Sequence, residues 1–368
     1  MNPRITMADV AQQAGVHKTT VSLALRNHPS IPVATRQRLQ ALADKLGYRP
    51  DPALRVLTAY RRRAQPATEA PPLAYLTHWD SRDGWKVPRA QARFHAGAVA
   101  RAGQLGYKLE HFWLGAPRLT HQRMSDILVA RGITGLIIAA HLPEHDVPLQ
   151  LAWPRFSAVR IDYYPHEPEL HTVTNDHRAI IQLAMRRVIA AGYRRIGFVM
   201  PSWWDQFADL AWSAGFLAEQ QNLAPGERIP ILSFSDRPAD GTAARERRRT
   251  EVPHQEFSRW LRHYRPEVLI SKEQFVQPRL AELKLTVPRD IAFAEIFLDP
   301  DGRTAGVCHN CERVGELAVE ILDGQLQHYT YGVPPFPTAT LVEGTWIDGA
   351  SLPPRAAQRA LHREPRRA

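Results

Sequence analysis

The sequence predicts a small all-α head joined to a two-lobed α/β domain. Three observations predict it. Residues 1–50 hold three short helical patterns and no strand pattern. The stretch AQPATEAPP then breaks all periodicity near Gln65–Pro72. From Leu73 onward, short apolar runs alternate with amphipathic stretches of 12 to 18 residues.

Bulk properties allow that organisation. At 368 residues the chain can hold two or three domains with proper cores. Its 44% hydrophobic and 23% charged content is that of an ordinary globular protein. No apolar run reaches the roughly 18 residues of a membrane span, and Met1–Ala11 lacks a signal-peptide apolar core, so a cytoplasmic protein is expected. Two cysteines cannot form a disulfide framework. The net charge of +10 is unevenly spread: +8 in residues 1–65, +4 in residues 355–368 and −2 in between. A basic amino-terminal module is the electrostatic footprint of a phosphate-backbone binder, and equally of a solvated basic surface.

Local chemistry favours the binder. Thr6 can cap a helix starting at Met7, with Asp9 completing a capping box. Val10, Ala11 and Ala14 share one face, and Gly15 supplies a tight turn. A second helix is expected from about Lys18 to Arg26, with Val21, Ala24 and Leu25 inward. A third runs from about Val33 to Leu46, with Leu39, Leu42 and Leu46 inward and Gly47 at its end. Two short helices joined by a tight turn and packed on a third make a helix-turn-helix, whose second helix enters the DNA major groove.

The stretches ITMADVAQQAGVHKTTVSLALRN and TRQRLQALADKLGYRPDPALRVL resemble the amino-terminal module of the lactose-repressor (LacI) family of bacterial transcription regulators. About 60 consecutive residues carry the likeness, including DVA..AGV...TVS and the LGYRP exit. The resemblance implies that Lys18 and Thr19 read bases, that Thr20 and Ser22 touch phosphate or sugar, and that Thr6 and Asn27 join the DNA-facing set. Leu23 stands where relatives often place a polar reader and offers only apolar contact, for instance to a thymine methyl. His17 and Pro32 stand where capping serines are usual, so two caps are expected to be lost, at about 1 kcal/mol each, and His17 to recover some of this at a phosphate. In RPDPALRVLTAYRRR, Asp51 and Pro52 open an eight-residue helix too short to be stable alone. The family counterpart is a hinge helix that orders on operator DNA and wedges a leucine into the minor groove. That residue would be Leu57, with Arg55 and Arg61, Arg62 and Arg63 beside phosphates.

The runs LAYLT, KLEHFWL, GLIIAA, FSAVRI, RIGFVM, EVLIS and IAFAEI read as parallel strands covered by helices on both faces. About 280 residues suit two lobes. HTVTNDHRAIIQLAMRRVIAAGYRRIGFVMP resembles the start of the family's second lobe, CERVGELAVEILDGQ its return helix in the first, and VEGTWIDGASL its closing strand. The expected fold is thus an all-α helix-turn-helix head plus an α/β two-lobed periplasmic-binding-protein-like domain. The expected divisions are 1–50 for the head, 51–72 for hinge helix and linker, 73–352 for effector binding and dimerisation, and 353–368 for a basic disordered tail.

Open α/β sheets bind ligands outside the carboxyl ends of their strands. Those ends carry His78, Trp79 and Asp80, then Asp162, Tyr163 and Tyr164, then Trp203, Trp204 and Asp205, then Lys272 and Glu273. Aromatic faces with a few carboxylates suit a polyhydroxylated ligand, although any one of these tryptophans could serve a core or an interface. The resemblance places Trp212 where sugar-responsive members commonly have an arginine, and Lys272–Glu273 where they have Asn-Asp. The effector-facing set is therefore His78, Trp79, Asp80, Asp162, Tyr163, Trp203, Trp204, Trp212 and Glu273, around a carbohydrate or derivative.

Other chemistry finds little anchor. Cys308 and Cys311 in CHNC read as a redox pair or half a metal site, but no second pair exists and ordinary structural cysteines are expected. No nucleophile-elbow, zincin or P-loop pattern is present, so no enzyme, metal or cofactor is expected. Arg245–Arg249 reads as a solvated loop. The expected function is a homodimeric repressor of carbohydrate-related genes that binds a pseudopalindromic operator under effector control. The alternative is a ligand-independent or protein-controlled regulator whose large region serves dimerisation.

Overall fold

The computed structural model describes residues 5–26, 28, 30–48, 70–142, 145–235, 251–299 and 302–356. Helices α1 (Met7–Ala14), α2 (Lys18–Leu25) and α3 (Val33–Lys45) form the head. Val10, Ala11, Val21, Ala24, Leu39, Ala43 and Tyr48 make its core. Ala43 takes the place expected of Leu42, which stays half-exposed. A helix repeats about every 3.6 residues, so the second inward position can fall four residues after Leu39 rather than three.

The remaining chain alternates strand and helix: β1 (Pro72–Thr77), α4 (Arg89–Leu105), β2 (Lys108–Trp113), α5 (His121–Ala130), β3 (Gly135–Ile138), β4 (Ser157–Ile161), β5 (His171–Asn175), α6 (His177–Ala190), β6 (Ile196–Pro201), α7 (Ser202–Phe207), α8 (Ala211–Gln220), β7 (Leu232–Phe234), α9 (His254–Tyr264), β8 (Val268–Ser271), α10 (Glu273–Glu282), β9 (Ala292–Glu295), β10 (Gly306–Cys308), α11 (Cys311–His328), β11 (Ala339–Val342) and β12 (Thr345–Ile347). These form two six-stranded sheets, ordered β11-β5-β4-β3-β1-β2 and β12-β10-β9-β8-β6-β7. Strands β1 to β5 pair in parallel, as do β6 to β10, while β12 closes the second sheet antiparallel to β10.

Two compact units result. One holds Met1–Val173 and Cys311–Thr340, the other Thr174–Asn310 and Leu341–Ala368. In the first unit, Ala74, Leu76, Leu136, Ile138 and Ala158 pack against Met124 and Leu128 of α5. On the opposite face α11 lies against α4. A Cβ at Gly97 would fall 2.0 Å from the Glu312 carbonyl, and one at Gly315 would fall 1.9 Å from the Phe94 carbonyl. Only two glycines, one per helix, allow that approach. Arg93 clamps it with a two-pronged bond to Glu312 at 2.7 and 2.8 Å. In the second unit, Val199, Leu269 and Phe293 pack on Phe257, Trp260, Val276 and Leu280.

Candidate DNA interface and effector-facing residues

The head has the expected local chemistry. Thr6 accepts from the Asp9 amide at 3.4 Å, and Asp9 accepts from the Thr6 amide at 2.7 Å, closing the capping box. These bonds hold the exposed Asp9 carboxyl below its ordinary range. Gly15 adopts φ 65°, the left-handed turn between α1 and α2. The cap of α2 is not lost, contrary to the sequence expectation. His17 Nδ1 accepts from the Thr19 amide at 3.3 Å and from the Thr19 hydroxyl at 3.0 Å. An unprotonated ring nitrogen can do what a serine oxygen does. Pro32 does leave α3 without a side-chain cap. His17, Lys18 and Thr19 are exposed together at the amino end of α2, while Thr20, Ser22 and Leu23 are half-exposed along it. Asn27, Arg55, Leu57 and Arg61–Arg63 lie outside the described residues, as does the whole hinge helix.

The strand orders now locate the other candidates. Both sheets run 2-1-3-4-5 in their parallel part, so the order reverses between β1 and β3 in one and between β6 and β8 in the other. Crevices at such switch points are where open α/β sheets take ligands.

In the first unit, His78, Trp79 and Asp80 follow β1, and His141 follows β3. His78 stacks on His145 at 4.3 Å and meets His141 edge-on at 5.4 Å. His145 donates to Asp80 at 2.9 Å. Trp79 is braced: its indole donates to the Ala140 carbonyl at 2.9 Å, and its own carbonyl accepts from Trp113 at 2.8 Å. Burial and the neighbouring His145 and His121 push His78 down to about 4, and burial holds His141 well below the ordinary histidine range. These rings are therefore neutral hydrogen-bonding groups near pH 7. His78 Nδ1 and both ring nitrogens of His141 have no partner among the described residues.

Asp162, 7% exposed after β4 at φ 68°, accepts weakly from Gln91 at 3.4 Å. Tyr75 lies close enough for the Asp162 charge, with burial, to push its phenol far up. The Tyr75 hydroxyl, Gln91 Oε1 and the Trp85 indole are buried without a partner among the described residues. Tyr163 and Tyr164 are half-exposed beside Asp162. Sequence reasoning missed Tyr75, Trp85, Gln91 and His141. LAYLT read only as an apolar strand, and nothing in the sequence signalled an orphaned hydroxyl at Tyr75.

In the second unit, Trp203, Trp204 and Asp205 open α7, while Lys272 and Glu273 open α10. Trp212 is 1% exposed inside a stack, 5.5 Å from Trp204, 5.8 Å from His309 and 4.7 Å from His177. Phe297 meets His309 at 3.8 Å. Lys272 Nζ lies over the Trp204 ring at 5.8 Å and the Phe297 ring at 5.3 Å. Burial drives His177 down to about 3. The exposed Glu273 side chain stands over an amide that donates to the buried Glu295 carboxylate at 2.7 Å, and Phe297 donates to the same group at 2.9 Å. Glu295 thus caps α10 from the neighbouring strand. Burial outweighs those two donors and raises it to about 7. Lys272 was expected here, whereas Glu295, Phe297 and His309 escaped sequence reasoning because β9 and β10 bring them in from far along the chain.

Cys308 and Cys311 are not joined in a disulfide and are 8% and 0% exposed. Among the described residues no cluster of His, Cys, Asp or Glu could hold a metal, and no helix is long and apolar enough to cross a membrane. Pro353 and Arg355 are held on the second unit: the Tyr193 hydroxyl donates to the Pro353 carbonyl at 2.7 Å, and Arg355 donates to Glu267 at 2.6 Å. Arg245–Arg249 and the tail from 357 on lie outside the described residues.

Residues 6–51 match the model of "Bacterial regulatory proteins, lacI family". The HTH-type transcriptional regulator reg1 of Streptomyces lividans is 26% identical over 200 residues, 53% of each chain. The chain therefore spans about half the length of the curated relatives it matches. A solved complex of the transcriptional regulator CelR with cellobiose aligns over 95% of this chain and 100% of its own, at 17% identity and a TM-score of 0.56. The lac repressor dimer bound to operator and the anti-inducer ONPF aligns over the same shares, at 17% identity and a TM-score of 0.53. These two likenesses show the fold: a helix-turn-helix head followed by a two-lobed α/β domain.

Proposed function

We propose that the chain, whose head matches the lacI family of bacterial regulatory proteins over residues 6–51, is a sequence-specific DNA-binding repressor whose operator affinity answers to a small polyhydroxylated effector. One observation carries the DNA half. His17, Lys18 and Thr19 stand exposed at the amino end of α2, with the turn and cap that present a recognition helix. Two heads of a homodimer would take two half-sites of a pseudopalindrome. Thr6, Thr20, Ser22, Leu23, Asn27, Arg55 and Leu57 complete the proposed DNA-facing set.

The effector half rests on the switch point of each sheet. The first unit offers Asp162, His78, Trp79 and Asp80, together with the buried partnerless groups of Tyr75, Gln91 and His141. The second offers Trp203, Trp204 and Glu273, with Trp212 behind them. A carbohydrate or its derivative matches aromatic faces beside a few carboxylates and neutral hydrogen-bonding groups. CelR was solved with cellobiose, which supports a carbohydrate class here.

The test begins with duplexes selected by the full-length protein from a randomised pool. Selected duplex should bind far more tightly than random duplex at about 150 mM salt, and affinity should fall steeply as salt rises. Equal binding of both overturns the reading. Sugars that raise the melting temperature by several degrees identify the effector. Asp162→Ala should then spare operator binding and abolish the response, and a normal response would move the effector site elsewhere.

A further inference from the structure

Both partners of one contact in the first unit are fixed in advance by their own hydrogen bonds. Tyr329 follows α11 at φ 53°. Its loop is pinned on all sides. The Thr330 amide donates to Gln325 at 2.9 Å, the Ser157 hydroxyl to the Thr330 carbonyl at 2.7 Å, and the Gly332 amide to Phe156 at 2.9 Å. Against this ring stand two side chains from the carboxyl end of α2. The Arg26 guanidinium lies 5.7 Å from the ring centroid, and the His28 ring meets it edge-on at 4.3 Å and 72°.

Neither side chain is loosely placed. Arg26 donates to the Ser22 carbonyl at 3.1 Å and to the Ser22 hydroxyl at 3.0 Å. His28 Nδ1 accepts from the Ser30 amide at 3.1 Å and shares a bond with the Ser30 hydroxyl at 2.7 Å. A cation over an aromatic face and an edge-to-face pair attract without any formal ion pair. Because each group is already oriented, little side-chain freedom is lost when they meet.

We propose that Tyr329 is a docking post that holds the DNA-binding head through Arg26 and His28, in a posture competent for DNA. The contact uses the carboxyl end of α2 and leaves His17, Lys18 and Thr19 exposed at the other end. A head held this way loses less orientational freedom on binding DNA than one that is only tethered. Tyr329 acts through Arg26 and His28 and is therefore assigned as a positioning residue. The proposal rests on the DNA-binding reading of the head, and its test separates the two.

Full-length wild type, Tyr329→Ala, Tyr329→Leu and Tyr329→Phe are compared by amide hydrogen exchange without DNA. They are then compared for affinity to a duplex selected from a random pool by the wild type. Tyr329→Ala and Tyr329→Leu should exchange severalfold faster across residues 22–28 and bind the duplex about 5-fold more weakly, with an unchanged melting temperature and salt slope. Tyr329→Phe keeps the ring face and should match wild type in every readout. Wild-type exchange and affinity in Tyr329→Ala overturn the post. Tighter binding by Tyr329→Ala overturns the DNA-competent posture, and a shallower salt slope shows that the substitution has removed a cationic phosphate contact, which overturns a purely positioning role. If no duplex is selected, the regulator reading fails while the exchange comparison still decides the contact.

Discussion

The two α/β units share one parallel strand order and diverge at the switch point. The first lines it with neutral imidazoles, an acid and several buried polar atoms without partners. The second lines the corresponding place with its own rings, Trp204 on Trp212, Trp212 on His309 and His309 on Phe297. Topology therefore sets where a ligand can meet each sheet, while side chains decide whether that place stays open or is packed as core. Polar atoms left unpaired cost stability, and such cost is ordinary where a ligand will supply the missing bonds.

The sharpest way to break this comparison is to remove one tryptophan from each unit. Trp212 is fully enclosed, so Trp212→Ala should destabilise the second unit by about 3–5 kcal/mol. Trp79 is half-exposed and held mainly by one hydrogen bond, so Trp79→Ala should cost about 1–2 kcal/mol. Urea unfolding followed unit by unit with hydrogen exchange reads both. A larger loss for Trp79→Ala would mean that the first unit, not the second, is packed as core at its switch point.

Acid is the next lever, and it should act on the first unit first. His78 and His111 sit at about 4 in the folded chain, against an ordinary 6.5, and His141 is also depressed. Between those values the unfolded chain binds more protons than the folded one, so stability falls as pH drops from about 6.5 towards 4. The half-buried His78 contributes less than its full shift, and the group together loses on the order of 3 kcal/mol. In the second unit His177 sits at about 3, with the same sign. Glu295 there has the opposite sign. Its folded value of about 7 lies above the ordinary 4.5, so it stabilises more as pH falls through that window and offsets His177. Hydrogen exchange at stepped pH should show residues 72–173 opening before residues 174–310. Simultaneous opening, or the reverse order, would contradict it.

The sequence revealed these two regions to different depths. The head was nearly complete in it, because caps, turns and helix faces are local: Thr6, Asp9, Gly15, Val10 and Val21 each act within a few residues of chain. Even so, His17 was misjudged, since its capping depends on a ring nitrogen's geometry that no residue type announces. The strands were legible as apolar runs, and the carboxyl-end rule led to Asp162, His78 and Trp204. What the sequence could not show was pairing across long separations. Glu295 capping α10 and Phe297 against His309 join segments that only the sheet order brings together. The burial of Trp212 is another such case. Its position in a helix matched a ligand-facing residue, while three rings from other elements enclosed it.

The smallest expected effect sharpens the comparison most, because its sign is unusual. Tyr75 is 0% exposed, and its hydroxyl has no partner among the described residues. The ring is well placed between Trp85 at 5.8 Å and His95 at 4.8 Å. Tyr75→Phe keeps that packing and deletes only the stranded oxygen. A buried hydroxyl without a hydrogen bond is costly, so the variant should be more stable than wild type by about 1 kcal/mol in urea unfolding without effector. If Tyr75 is held for the ligand, the same variant should bind effector more weakly, giving a gain in stability with a loss in response. No matching gain is available at the second unit's stack, where deleting any ring removes contacts. A Tyr75→Phe protein that is less stable than wild type would show that the hydroxyl is satisfied in the folded chain. The partnerless groups of the first unit would then belong to its core rather than to a ligand.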